Sequence, residues 1–228
     1  MSNLLKGCTL VGSDSNNYDI PMGLFYYCPK VTNISHIFDG CKNITTGKSL
    51  PGLSIEVNKV LFAKNTELVD VSYAFANSKT DLITENTNSE EYLLFPVQTK
   101  IKTANNLWEN CEMTDATGIE AIPFIYKSKV LKNIEGMFKG QTFARQLPAM
   151  NASSTSEFDW GRLNEICPAL ENCSQMFYGN TKLTETASGS VLTLINTLSK
   201  ITTLNNHTQA FTNCTQLTNY NNIPADWK

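Results

Sequence analysis

The stretch VTNISHIFDG, residues 31–40, recurs in altered form along the chain, for example as LKNIEGMFKG at 131–140 and LENCSQMFYG at 170–179. Each copy carries an aromatic side chain at the same position, here called the anchor, between a polar residue and a glycine or asparagine. The six anchors are Phe38, Phe75, Trp108, Phe138, Phe177 and Phe211. Their unequal but similar spacing indicates a repeat architecture whose neighbouring units share one core, so we expect the anchors to be buried in a continuous column.

The residues around each anchor predict a short capped helix. Apolar residues stand seven positions and, in most copies, four positions before the anchor, on one helical face. The side chain five positions before it can accept a bond from the free backbone donors of a first helical turn. Two positions after it comes a glycine or asparagine, which ends a helix in the left-handed conformation. The predicted helix caps are Asn33, Asp70, Thr103, Asn133, Asn172 and Asn206, and the predicted ends are Gly40, Asn77, Asn110, Gly140, Gly179 and Asn213.

Other apolar positions complete the predicted repeat. One lies about six residues after the anchor and is often followed by proline, which favours a short strand. Another lies roughly one helix length before it. We therefore expect an α/β fold, a single solenoid domain over residues 1–228 with about six to seven repeats of about 30–39 residues and a truncated first repeat. The alternative is an all-helical array of the tetratricopeptide kind, because the mean anchor spacing is close to the period of that repeat, although its signature residues are missing.

Three copies carry a resemblance to a known family. They read HIFDGCKNI at 36–44, QMFYGNTKL at 175–183 and QAFTNCTQL at 209–217, and each resembles the BspA-type leucine-rich repeat. The resemblance implies a leucine-rich-repeat-like solenoid. It also implies a role in binding, since proteins of this family are mostly surface or adhesion proteins of bacteria and protists, with relatives among bacteriophage structural proteins. As a class they are not enzymes.

Charge and hydropathy argue against several partners and sites. A net charge of -3 without any basic run is unlike a nucleic-acid-binding protein. The longest apolar runs, at 92–97 and 121–126, are far shorter than the roughly 20 residues that span a bilayer, so we expect no membrane insertion. The chain start does not resemble a secretion signal, which favours a protein that stays in the cytoplasm where it is made. Seven cysteines are an odd number, and free thiols are expected.

No motif in the sequence predicts catalysis, a metal site or a cofactor. The segment Gly47-Lys48-Ser49 ends like a phosphate-binding loop, but the glycine that this loop requires five residues earlier is Lys42. The two histidines lie near opposite ends of the chain, and His207 occupies a column that is apolar in most other copies, so it is expected to face the core. Most cysteines recur at a turn position three residues after an apolar residue, which favours small buried side chains over metal ligands.

Two features point to possible contacts. Aromatic residues outside the anchor column could form a binding face for protein or glycan, or could be packed beneath the turns. Near the chain start, Leu5 matches the anchor position one period before Phe38, so the first repeat lacks its front half. We expect the end formed by Leu4, Leu5 and Leu10 to contact a protein partner or a second copy of the chain, because an uncovered solenoid end exposes apolar surface.

The sequence is compatible with three functions of different class. The first is a non-enzymatic structural and interaction module of a bacteriophage virion, assembled in the host cytoplasm as a tail, fibre or capsid-associated component. The second is a domain of a bacterial cell-surface adhesin that binds a host protein or glycan. The third is an enzyme acting on glycans, which the scarcity of histidine makes the weakest interpretation.

Overall fold

The computed structural model describes residues 2–3, 6, 25, 28–41, 62, 65–80, 95, 100–113, 129–141, 145–147, 150, 160–187 and 189–228. Within them lie two α-helices, α1 at Leu163–Ile166 and α2 at Val191–Leu198. Short 3-10 helices cover Trp160–Arg162, Tyr220–Asn222 and Ala225–Trp227. The strands β1 at Lys79–Thr80 and β2 at Glu112–Met113 pair in parallel, as do β3 at Arg145–Gln146 and β4 at Leu183–Thr184.

The segments around the anchors lie one on the next in chain order. We use the word rung for the segment from five positions before to three positions after each anchor, which gives 33–41, 70–78, 103–111, 133–141, 172–180 and 206–214. The first residue of each rung forms a parallel bridge with the first residue of the next, through all six rungs. Parallel pairing at equivalent positions keeps the six rungs in register.

Backbone hydrogen bonds join the rungs at every second residue. The anchor N–H donates to the carbonyl that precedes the next anchor, for example Phe38 N to Ala74 O at 2.9 Å. The same offset recurs four and two residues before the anchor and two residues after it. Each of the first five rungs therefore donates four bonds to its successor. These four donors per rung point to the following rung of the ladder, whereas the N–H groups at the start of each later rung point back to the preceding segment, as Asp70 N does to Thr32 O at 3.2 Å.

The anchors form a continuous stack inside this ladder. All six are fully buried. Successive ring centroids lie 5.4 to 6.3 Å apart, with interplanar angles of 7° to 24°, so the rings stack nearly parallel. A second stack of Phe25, Phe62 and Phe95, with centroids 5.1 and 5.6 Å apart, lies against the first. Aromatic pairs at these distances add to the stabilisation that comes from burial alone.

The capped helices predicted for the rungs are wrong. The rung residues form successive turns. In all six rungs the residue after the anchor donates its N–H to the carbonyl of the residue two positions before the anchor, as Asp39 does to His36 at 3.3 Å. In every rung two residues have positive φ: the one two positions before the anchor and the one two positions after it. A right-handed helix does not accommodate positive φ. Gly40, Gly140 and Gly179 adopt the left-handed conformation predicted for them, with φ of 73°, 70° and 78°. The all-helical alternative does not fit these segments either.

The predicted caps serve the turns instead. In five rungs the side-chain oxygen of the first residue accepts the N–H two residues on, as Asn33 does from Ser35 at 2.8 Å, which makes a local side-chain turn. The five are Asn33, Asp70, Asn133, Asn172 and Asn206. Thr103 differs, because its hydroxyl donates to Oδ1 of Asp70 at 2.9 Å. These residues thus stabilise the entry to each rung without a helix following.

Candidate interaction surfaces

The described residues at the chain start lie on the first rung in the same way as one rung lies on another. Asn3 has a φ of 62° and donates its N–H to Ser35 O at 3.0 Å, the geometry found two residues before each of the first five anchors. Lys6 is exposed and its Nζ lies 3.0 Å from Oδ2 of Asp39. The predicted contact residues Leu4, Leu5 and Leu10 lie outside the described residues, so their packing stays a prediction.

Asp39 links three successive segments of this end. Its carboxylate accepts bonds from Lys6, from His36 Nδ1 at 2.9 Å and from Asn77 Nδ2 at 3.0 Å. Burial by itself would raise the pKa of Asp39, but the hydrogen bonds from Asn77, His36 and Lys6 together outweigh it and hold the pKa below its ordinary value. The His36 ring also stacks on Tyr73, with centroids 4.5 Å apart. The cluster therefore fixes the position of the first rung against its neighbours.

The opposite end of the ladder is covered by the chain itself. Trp227 O accepts the N–H of the last anchor, Phe211, at 2.9 Å, and the hydroxyl of Tyr220 accepts the N–H of Asn213 at 3.3 Å. The Trp227 ring is buried and stacks on His207, with centroids 4.2 Å apart. Residues 220–228 thus take the place that a further rung would occupy, over this part of the end.

His207 lies at the edge of the core and not inside it, which differs from the prediction. Its Nδ1 is buried, but its Nε2 lies 2.9 Å from Oδ2 of Asp226, and this hydrogen bond lowers the pKa of Asp226. The equivalent residues of the other five rungs are buried apolar side chains. A histidine is tolerated here because residues 220–228, and not another rung, lie against the sixth rung and supply a polar partner.

Of the six cysteines that the structure describes, five belong to the hydrophobic core. Cys41, Cys111, Cys167, Cys173 and Cys214 are buried, Cys28 is half-buried, and none of these six forms a disulfide. Burial raises the pKa of Cys173 and of Cys214 to about 12 and raises that of Cys167 further, so these thiols are protonated near neutral pH. Cys8 and the segment Gly47-Lys48-Ser49 lie outside the described residues.

The aromatic residues outside the anchor column divide into two groups. Trp160 and Trp227 are buried against the anchors, which fits the packing interpretation. Tyr178 and Tyr220 are half-buried and lie near lysine ammonium groups, at 5.7 Å from Lys139 and 5.3 Å from Lys228. Tyr26, Tyr27, Tyr92 and Tyr126 lie outside the described residues. A continuous aromatic binding face is therefore not visible on the described part of the chain.

Two features of the surface were not recognised in the sequence. The left-handed residue two before each anchor has no common residue type, being His36, Tyr73, Asn106, Gly136, Gln175 and Gln209. Lysines from separate repeats are also brought to one side of the ladder, although no segment of the chain is strongly basic. Counting charged residues by their position in the repeat, and not along the chain, could have identified this grouping of lysines.

Comparison with known proteins found no match to the chain among family models, curated proteins or solved structures. Within the described residues, no helix is long and apolar enough to cross a membrane. The same residues contain no group of three histidine, cysteine or acidic side chains arranged to hold a metal ion.

Proposed function

We propose that the protein is a non-enzymatic structural and interaction module, built as an irregular leucine-rich-repeat-like solenoid, that serves as a component of a bacteriophage virion. The observation that carries the proposal is the six-rung ladder. Its backbone groups are bonded from rung to rung and its anchors are stacked without a break, so it offers a stiff, extended surface with side chains at a regular spacing. The resemblance to BspA-type repeats supports the virion assignment.

The proposed contact at the chain start rests on a separate observation. Ser2, Asn3 and Lys6 are exposed, while the Asn3 amide already continues the hydrogen-bond pattern of the ladder. A protein partner or a second copy placed on this side would bury the end that precedes the first rung. Sedimentation velocity on the chain and on a Leu4→Asp, Leu10→Asp variant tests self-association: a monomer in both cases, at the highest attainable concentration, removes the second copy as the occupant.

Labelling of particles tests the virion assignment. We expect gold-labelled antibodies against the protein to decorate purified virus particles released from cells that carry the gene, and mass spectrometry of those particles to recover its peptides at a constant ratio to the major capsid protein. Decoration of the cell surface, with particles free of the protein, would instead show the adhesin function. A control serum depleted on the purified chain must lose the signal.

A further inference from the structure

One side of the ladder gathers positive charge that the sequence spreads over two repeats. Immediately before the third and fourth rungs lie Lys100, Lys102, Lys129, Val130 and Lys132, which together we call the lysine face. All four lysines are exposed, although the chain as a whole has a net charge of -3. Val130, which is 40% exposed, is the large apolar side chain that stands out to solvent among the residues described.

Two of these lysines oppose each other directly. Lys132 N donates to Lys102 O at 2.9 Å, so the two residues occupy the same position on hydrogen-bonded neighbours. Neighbouring strands lie about 4.8 Å apart, and like charges that are directly opposite at this distance destabilise the pairing. The repeat does not require lysine at this position, because other copies have Thr32, Val69, Glu171 or Asn205 there. The fold therefore does not require two lysines to lie opposite each other, and their like charges oppose the pairing.

The charge of the face is only partly neutralised. Lys100 Nζ lies 2.6 Å from Glu67, and Lys132 Nζ lies 2.6 Å from Glu171. Lys129 donates to the backbone carbonyl of Glu165 and forms no ion pair with the residues that the structure describes. Lys102 makes no ion pair or hydrogen bond through its side chain with any of the described residues. A surface with unpaired cations around an apolar side chain is complementary to an acidic partner that also has an apolar group.

We propose that the lysine face docks an acidic segment of a partner protein, whose carboxylates pair with Lys102 and Lys129 and whose apolar side chain covers Val130. This docking rests on the proposed interaction function. A long polyanion such as nucleic acid fits less well, because its phosphates continue beyond this local group of lysines and meet a chain whose net charge is -3. A short acidic peptide segment confines its charge to the face and can carry an apolar side chain for Val130.

Fluorescence anisotropy with synthetic probes tests the proposal on the full chain. The first probe is a fluorescein-labelled peptide of six glutamates around one central leucine; the others replace the leucine by serine, replace the glutamates by lysine, or are oligothymidylate of matched charge. We expect saturable binding of the leucine-containing acidic peptide that weakens as salt rises, weaker binding of the serine probe, and none of the basic one. Tight binding of oligothymidylate, or equal binding of the leucine and serine probes, would overturn the acidic protein segment as the occupant.

Matched variants locate the binding. Lys102→Glu should weaken the peptide about tenfold or more, which corresponds to about 1.4 kcal/mol, and Val130→Ser should abolish the difference between the leucine and serine probes. Lys182→Glu makes the same change of net charge at an exposed lysine outside the face and should leave affinity within about twofold. The melting temperature of Lys102→Glu should be unchanged or higher, because the opposition with Lys132 is removed. Equal weakening by Lys102→Glu and Lys182→Glu would refute the face, whereas failure of particle labelling alone would refute only the virion assignment.

Discussion

Replacing Gly140 by alanine is the sharpest test of the ladder geometry. Gly140 has a φ of 70°, and a Cβ built on it would collide with Oδ1 of Asn110, its counterpart on the preceding rung. An L-residue in the left-handed region costs roughly 1–2 kcal/mol. The Asn110 side chain would also have to move away, which breaks its bond from Nδ2 to Asn77 Oδ1, now 3.0 Å long.

The expected magnitude follows from these terms. Loss of the Asn110 bond adds about 0.5–1 kcal/mol, since such bonds contribute modestly to stability. The lower entropy of alanine in the unfolded chain offsets about 0.4–1 kcal/mol. Gly140→Ala should therefore lower the free energy of unfolding by about 1–2 kcal/mol, measured by urea denaturation followed by circular dichroism.

A double-mutant cycle separates the two causes. In an Asn110→Ala background there is no side chain over Gly140, so only the backbone term should remain and the cost of Gly140→Ala should fall by about 0.5–1 kcal/mol. Gly140→Ala without any loss of stability would refute the left-handed turn at this position. A loss that is identical in both backgrounds would refute the close approach of Asn110.

Three further predictions address the core, the thiols and the chain start. Phe138→Ala should cost about 3–5 kcal/mol in urea denaturation, because a fully buried ring between Trp108 and Phe177 leaves a cavity; a loss below about 1 kcal/mol would contradict a packed anchor stack. Cys173, with its pKa raised to about 12, should resist iodoacetamide at pH 8 in the native protein and react after unfolding in urea, as peptide mass spectrometry will show. Asp39→Asn should lower stability at pH 7, and its difference from wild type should vanish as pH falls through the depressed pKa of Asp39; a pH-independent difference would contradict the ionic role.

The spacing of apolar residues identified which side chains stack but indicated the wrong backbone for them. Buried residues lie four and one before the anchor, at the anchor and three after it, as Ile34, Ile37, Phe38 and Cys41 do. This is also the spacing of one face of a helix. Successive turns closed by bonds between residues three apart bring the same positions together. Periodicity alone could therefore not distinguish the two backbones.

The left-handed residues could be predicted only where glycine or asparagine marks them. Two positions after the anchor, all six residues are of these types, and the conformation was predicted for the glycines. Two positions before it, residues such as His36, Tyr73 and Gln175 adopt positive φ against their intrinsic preference. The inter-rung bonds hold them there, since each of these residues donates its N–H to the next rung. The tertiary context therefore determines the positive φ at these positions, and the residue type does not predict it.

The ladder also explains how repeats of unequal length can share one core. The segments that connect successive rungs differ in length, the shortest being 112–132 and the longest 142–171. Lengthening a loop costs little, about 0.6 kcal/mol for each doubling, whereas every rung adds four backbone bonds and one stacked anchor to its neighbour. Stability is therefore concentrated in the rungs.

The residues just before each rung are held in register by the ladder, yet those of the lysine face are exposed and can change charge at small cost. Lys102 and Lys132 lie opposite each other at exposed positions just before two rungs. A binding surface can be placed at such positions without disturbing the fold.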